Sequence, residues 1–314
     1  MFVIASQSVR KGTKKQCMTG PDGYPMPATV IAGAQEGKTV LVTAQIHSGE
    51  YPGTPAAVNT AKRIDPLQVH GNIIIVHCVN VSGFCAGTDA YVPEDGGNLN
   101  ACYPGDKDTV SGRIAQFFIN EIFPHVDFVL DLHSGGMTES LTPCLFWPGI
   151  KVSEESLRVA KALDIPYLVQ SFNRKGECGY AANVLGIPGL LLERGGSGLC
   201  RKEWVEAYER DIALCLNALG ILPCTDTEVC DKKVIRKAVY LTAEEDGIWF
   251  PAVREGQHVE KGQVLGHTED FFGDPLRTYH AEDSGIILYY TSGLRAKKGS
   301  SLAAYSLDAY TEDI

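Results

Sequence analysis

Long apolar runs are missing from this 314-residue sequence. The longest unbroken ones, such as 73–76 and 189–192, fall far short of the ~20 residues that span a bilayer. A Lys/Arg-rich run is missing as well. With a formal net charge of −10, that argues against nucleic acid and anionic membranes as partners. Residues 1–15 have no apolar core of the signal-peptide kind, so the expectation is a cytoplasmic protein. No C-x-x-C pair occurs among the cysteines Cys17, Cys78, Cys85, Cys102, Cys144, Cys178, Cys200, Cys215, Cys224 and Cys230. That excludes a zinc knuckle, and in a reducing compartment these thiols read as small buried hydrophobes rather than nucleophiles.

Hydrophobic residues make up 44% of the chain, enough to build a sizeable core and to exclude global disorder. Residues 38–46 are rich in β-branched side chains and predict a buried strand, as do 72–79, 126–132 and 189–192. Helices are expected over 52–64, 111–122, 153–163 and 201–219, the last ended by Gly220. Alternation of the two predicts an α/β domain with a mostly parallel sheet and flanking helices. The stretch 82–104 is too polar for a core and too long for a turn, which favours a functional loop. The pattern changes at 223–233. Beyond it come short β-type segments separated by Gly-containing turns, so the expected organisation is a catalytic α/β domain over 1–230 and a small all-β domain over 231–314.

Three polar motifs each follow an apolar strand. His47-Ser-Gly-Glu50 puts an imidazole and a carboxylate on one tight turn, where both can reach one metal ion, and Gly49 lets the backbone bend closely. Asp131-Leu-His133 ends the 126–132 strand. His133 would complete two imidazoles and one carboxylate, the usual catalytic zinc set, with Asp131 behind it. Glu193 follows three leucines in Leu-Leu-Leu-Glu193-Arg-Gly-Gly, and a buried carboxylate there needs a reason. A general base beside a metal-bound water supplies one. Singly, each motif has a plain alternative: a surface ion pair for His47 and Glu50, a backbone-bonded His133, an Arg194 partner for Glu193. Carboxyl ends of strands are where open α/β sheets build their sites, so three such ends together carry more weight.

With Gly97-Asn98-Leu-Asn100 and Pro104-Gly105, these motifs resemble the succinylglutamate desuccinylase and aspartoacylase family of the zinc carboxypeptidase clan, across essentially the whole chain. The resemblance implies one zinc per chain held by His47, Glu50 and His133, with Glu193 as base and later proton donor. It implies a carboxypeptidase-like fold followed by a lipoyl-like β-sandwich. No attached lipoate or biotin is expected, because the candidate stretch 269–274, Glu-Asp-Phe-Phe-Gly-Asp, has no lysine. The implied activity is hydrolysis of the amide bond of a small N-acylated substrate, with Asn98 and Asn100 among the binding groups and a homo-oligomer as a possible state.

One departure bears on substrate binding. Relatives have an arginine after the asparagine, where this chain has Ala101, and another about ten residues earlier, near Ala90. Arg174 and Lys175, in a polar segment bounded by glycine, are the expected replacements. Arg194 is less suited, since neighbours on a strand face opposite ways. A carboxypeptidase-like peptidase and a non-catalytic binding protein are the alternatives, the second motivated by the missing arginines.

Overall fold

The computed structural model describes residues 1–223 and 228–314, so Cys224 and part of the predicted change of pattern at 223–233 lie outside the described residues. Four parallel strands form the centre of a large mixed sheet, in the spatial order His70–Val76, Gln35–Ala44, Phe128–His133 and Gly189–Gly196. Antiparallel strands extend it both ways. Met26–Ala32 and then Thr13–Thr19 lie beyond His70–Val76, and Glu139–Pro148 lies beyond Gly189–Gly196. Tyr167–Ser171 runs parallel to the last of these.

Central strands buried on both faces read as continuous apolar runs, which is why they are evident in the sequence. Successive side chains go to opposite faces. Val42, Leu130, Leu132, Leu190 and Leu192 join one core, beneath helices Gly53–Arg63, Ser153–Ala160 and Lys202–Ala218. Leu41, Ile74 and Val129 join a second core on the other face, beneath helix Val110–Phe117. That second face also carries the polar residues of the candidate site. In helix Lys202–Ala218, buried Tyr208, Ile212, Cys215 and Leu216 recur at helical spacing. Gly220, at φ +73°, then turns the chain in the left-handed conformation that closes such helices. The predicted helix over 111–122 is α-helical only through Phe117 and continues as a wider turn, Phe118–Ile122.

After residue 228 the chain is strands and loops, apart from one short turn at Asp308–Tyr310. Strands Gly285–Thr291, Ser301–Leu307 and Ala238–Thr242 continue the large sheet, joined where Tyr289 lies opposite Leu141. Lys233–Ile235 pairs with Tyr167–Ser171. A separate antiparallel sheet of Pro275–His280, Val264–Glu269, Gly247–Pro251 and Arg295–Ala296 encloses Trp249 and Tyr279. The C-terminal segment is an antiparallel all-β region, hydrogen-bonded into the α/β sheet at two places. Among the described residues, no helix is long and apolar enough to cross a membrane.

Candidate active site

Register brings the strand ends together. In the parallel pairing, Thr43 lies beside Asp131 and His133 beside Glu193, so Asp131, His133 and Glu193 share one face of the sheet at its carboxyl edge. His47 and Glu50 follow the end of Gln35–Ala44 on a turn. Gln45 sets that turn: its backbone is left-handed at φ +63°, an uncommon state for a residue other than glycine. Its buried amide donates to the Ser48 carbonyl at 2.7 Å and accepts from the Thr54 hydroxyl. Gly49 is needed for close approach, because a Cβ there would lie 2.5 Å from a carboxylate oxygen of Asp89.

His47 Nδ1 lies 2.7 Å from Glu50 Oε1, and His133 Nδ1 lies 2.9 Å from Glu50 Oε2. One donor atom from each of the three residues falls within 4.8 Å of the others. The outer nitrogens have their own acceptors. His133 Nε2 donates to Asp131 Oδ2 at 3.1 Å, and His47 Nε2 to Asn98 Oδ1 at 3.1 Å. With those protons outward, both Nδ1 lone pairs face a carboxylate. Such an assembly repels itself unless a cation joins it, so the donor set fits a divalent metal. Burial alone would raise the Glu50 carboxyl, but His47 and His133 outweigh it and hold it at about 2. Burial alone would depress His133; the carboxylates of Asp131 and Glu50 outweigh that and push it well above the ordinary histidine range. The field that favours a proton on His133 equally favours a metal ion among these side chains.

Glu193 is different in kind. One of its carboxylate oxygens is sealed from solvent without a hydrogen-bond partner. Burial, then the nearby charge of Glu50, pushes its carboxyl well above the usual range. Arg194 is not its partner. It faces the other way, with Nε 2.6 Å from Asp211 Oδ2 and Nη2 donating to the Asp164 carbonyl at 2.7 Å. Gly195 permits the bulge that follows, since a Cβ there would meet the Trp204 ring at 2.5 Å.

Three cavities meet at Glu193. The smallest, about 190 Å³, is lined by Asn100, Trp147, Ser171, Cys178 and Leu191. A second, about 380 Å³, is lined by Cys144, Phe146, Phe172, Arg236 and Tyr289. A third, about 450 Å³, contains His47, Glu50, Asp89, Ala90, Glu139 and Arg295. The structure therefore brings His47, Glu50, His133, Glu193 and Asn100 to one place. Asn98 lies beside His47. Its side-chain oxygen is committed to His47 and to the Asn100 N–H at 2.8 Å, which puts it behind the imidazole. Arg174 and Lys175 are exposed and do not line these three cavities. Their backbone docks instead, with the Lys175 carbonyl accepting from the Tyr103 N–H at 2.9 Å.

Four residues escape the motifs. Gln45 shapes the turn. Glu139 lines the same cavity as Glu50, and burial followed by Glu50 and Asp89 raises its carboxyl. Glu177 is fully buried and accepts from the Thr43 hydroxyl at 3.0 Å, the same hydroxyl that lies 3.0 Å from Asp131 Oδ1. Burial, then the charge of Asp131, pushes the Glu177 carboxyl well above its usual range. The fourth, Arg295, arrives from the C-terminal region. Gln45 stands just before the His47 motif and acts through local contacts, whereas Glu139, Glu177 and Arg295 become visible only through contacts distant in sequence.

Residues 36–219 match the succinylglutamate desuccinylase/aspartoacylase catalytic domain. The chain is 32% identical, over 275 residues, to an N-alpha-acetyl-L-2,4-diaminobutyric acid deacetylase of Halomonas elongata, covering 83% of this chain and 80% of that protein. In three dimensions it is similar to the product-bound ectoine utilization protein EutE (DoeB) of Ruegeria pomeroyi, with a TM-score of 0.87, 25% identity, and 95% and 96% of the two chains covered. It is also similar to a succinylglutamate desuccinylase/aspartoacylase of Rhodobacter sphaeroides, with a TM-score of 0.83, 25% identity and 96% of each chain covered.

Proposed function

The chain belongs to the succinylglutamate desuccinylase/aspartoacylase family of deacylases, and on that premise we propose that it is a zinc-dependent deacylase of a small N-acyl amino acid. His47, Glu50 and His133 would hold the metal and Glu193 would be the general base. The observation that carries this reading is the pair of imidazoles facing one carboxylate with their outer nitrogens already bonded, beside a carboxylate with a sealed, unpartnered oxygen.

When bound, zinc supplies Lewis-acid activation of water and of the scissile carbonyl. The protein's own groups do the rest. Asp131 and Asn98 fix the tautomers and ring orientations of His133 and His47. Glu193 takes a proton from the attacking water and returns it to the leaving nitrogen. Its raised proton affinity suits both halves of that exchange. Asn100 offers an amide to the substrate from the smallest cavity, whose size favours a short acyl group such as acetyl. The name of the Halomonas elongata relative makes Nα-acetyl-2,4-diaminobutyrate the first substrate to try.

Acetate release from that compound by zinc-loaded protein, beside N-acetylaspartate, N-succinylglutamate and short peptides, tests the reading. Release from one of the N-acyl amino acids is the expected result. Peptide trimming without deacylation would favour the peptidase. A zinc content below about half an ion per chain that added metal fails to restore would favour a binding protein.

A further inference from the structure

We propose that Arg295, from the C-terminal β-region, is the cation that binds the substrate's carboxylate; this rests on the deacylase reading above. Among the described residues, Arg295 is the only lysine or arginine lining the cavity of about 450 Å³ that also holds His47, Glu50 and Glu193.

The backbone that presents Arg295 is pinned on two sides. Towards the α/β sheet, the Ser292 N–H donates to the Thr138 carbonyl at 2.8 Å, and the hydroxyls of Ser292 and Ser197 lie 2.8 Å apart. Towards the C-terminal sheet, the Trp249 N–H donates to the Leu294 carbonyl at 2.7 Å, and its indole N–H to the Thr291 carbonyl at 2.9 Å. Trp249 is completely buried, so these bonds are anchored in a core. The guanidinium itself is exposed, and among the described residues no ion pair or hydrogen bond holds it. A rigid stem with an uncommitted head is what ligand binding asks of an arginine, since no internal bond has to break first.

The other cations near Glu193 are committed. Arg236 is paired with Glu312 at 3.3 Å, and Lys237 lies over the Tyr310 ring at 5.2 Å. The cavity is otherwise acidic, with Asp89, Glu139, Glu50 and Glu193 on its walls. A carboxylate-bearing substrate would be repelled there unless one cation outweighed them locally. Arginine also offers paired donors in the geometry of a carboxylate. Those same acids would suit an amine on the rest of the substrate, so the wall favours a zwitterionic amino acid over a simple dianion.

The test compares zinc-loaded wild type, Arg295→Gln and Arg295→Lys on Nα-acetyl-2,4-diaminobutyrate and its α-carboxamide. Loss of a charged hydrogen bond corresponds to a KM for the acid raised about 10- to 100-fold in Arg295→Gln, with kcat kept and the KM for the amide little changed. Arg295→Lys should recover part of the difference, because charge survives but the paired donors do not. Equal losses on acid and amide would overturn the proposal. So would an unchanged KM for the acid, above all if Arg174→Ala or Lys175→Ala raised it instead. If wild type hydrolyses neither compound, nor N-acetylaspartate or N-succinylglutamate, the deacylase reading has failed first. Calorimetric binding of the acid to Glu193→Gln, with and without Arg295→Gln, then decides: weaker binding in the double variant supports the anchor, and equal binding overturns it.

Discussion

His133 bonds to Glu50 and Arg295 shares a cavity with that same Glu50, yet the two are held there in different ways. His133 sits at the end of a buried strand, its two nitrogens flanked by Asp131 and Glu50, and its carbonyl accepts from the Tyr208 hydroxyl. Arg295 has a fixed backbone and a free head at the rim. The same contrast runs through the two regions that carry them. The α/β region supplies buried groups whose positions and charges are set by their surroundings, partnered in His47, Glu50 and His133 and sealed without a partner at one oxygen of Glu193. The C-terminal β-region supplies a surface group on an anchored backbone, Arg295. Chemistry demands fixed positions and perturbed proton affinities; recognition demands groups that can exchange water for ligand. Variants in the first region should therefore change kcat or metal content, and variants in the second should change KM.

The largest effect should come from Glu193→Gln, which keeps size but cannot accept a proton. Activity should fall about 10²- to 10⁴-fold, as is usual for loss of a general base, while zinc measured by atomic absorption stays at the wild-type level. Zinc lost along with activity would make Glu193 a ligand. In wild type, kcat should rise with pH through a pKa above the ordinary glutamate value of about 4.3, since burial and Glu50 raise this carboxyl and it works only when ionised.

Asp131→Asn comes next. It removes the charged acceptor of His133 Nε2 and leaves all three ligands in place. Zinc affinity, read by competition with a chromophoric chelator, should weaken about 10- to 100-fold, the usual cost of losing a partner behind a ligand. An unchanged affinity would mean that Asp131 only fills space, and the fixed-position account of the α/β region would lose its clearest support.

Smaller still is Ser292→Ala, which breaks the hydroxyl contact to Ser197 but keeps the backbone bond to Thr138. One neutral hydrogen bond at about 1 kcal/mol corresponds to a KM raised about fivefold. Zinc content and kcat should not move. A fall in kcat with constant KM would show that the C-terminal region acts on the chemistry directly, and the comparison between the regions would fail.

The same division explains what was legible in the sequence. His47, Glu50, His133 and Glu193 each follow an apolar run that only a buried central strand produces, and ends of adjacent parallel strands meet by register. Arg194 was readable too, because strand alternation sends it away from Glu193. The outlying strands were not. Glu139–Pro148 contains Pro143, which argues against a strand, and Thr13–Thr19 is a polar edge strand with two lysines. Without those strands nothing indicates that Glu139 reaches the site, or that Gly285–Thr291 pairs alongside and Arg295 lines the same cavity as Glu50 and Glu193. Asn98 shows a further limit: only the fold reveals that its side-chain oxygen lies against the outer nitrogen of His47.

The smallest effect concerns stability and bears on whether Glu193 is held against its own preference. Its carboxyl is raised in the folded state, by burial first and by Glu50 second. Below the unfolded value of about 4.3 both states keep the proton, and the group costs nothing. As pH rises past that value, the unfolded carboxyl ionises freely while the folded one resists. The folded state then binds more protons, and stability falls until pH reaches the folded pKa. Metal-free Glu193→Gln should therefore melt above metal-free wild type at neutral pH. The gain is on the order of 1–3 kcal/mol, the cost of a buried polar atom without a partner. The gap should close below about pH 4, and zinc should narrow it at neutral pH by offsetting the charge. Arg295→Gln, altering an exposed head with no partner among the described residues, should show no such pH trend in calorimetric melts. If metal-free wild type were instead the more stable protein at neutral pH, the ionised Glu193 would have a stabilising partner. The site would then be relaxed rather than strained, and the contrast between the two regions would reduce to one of position alone.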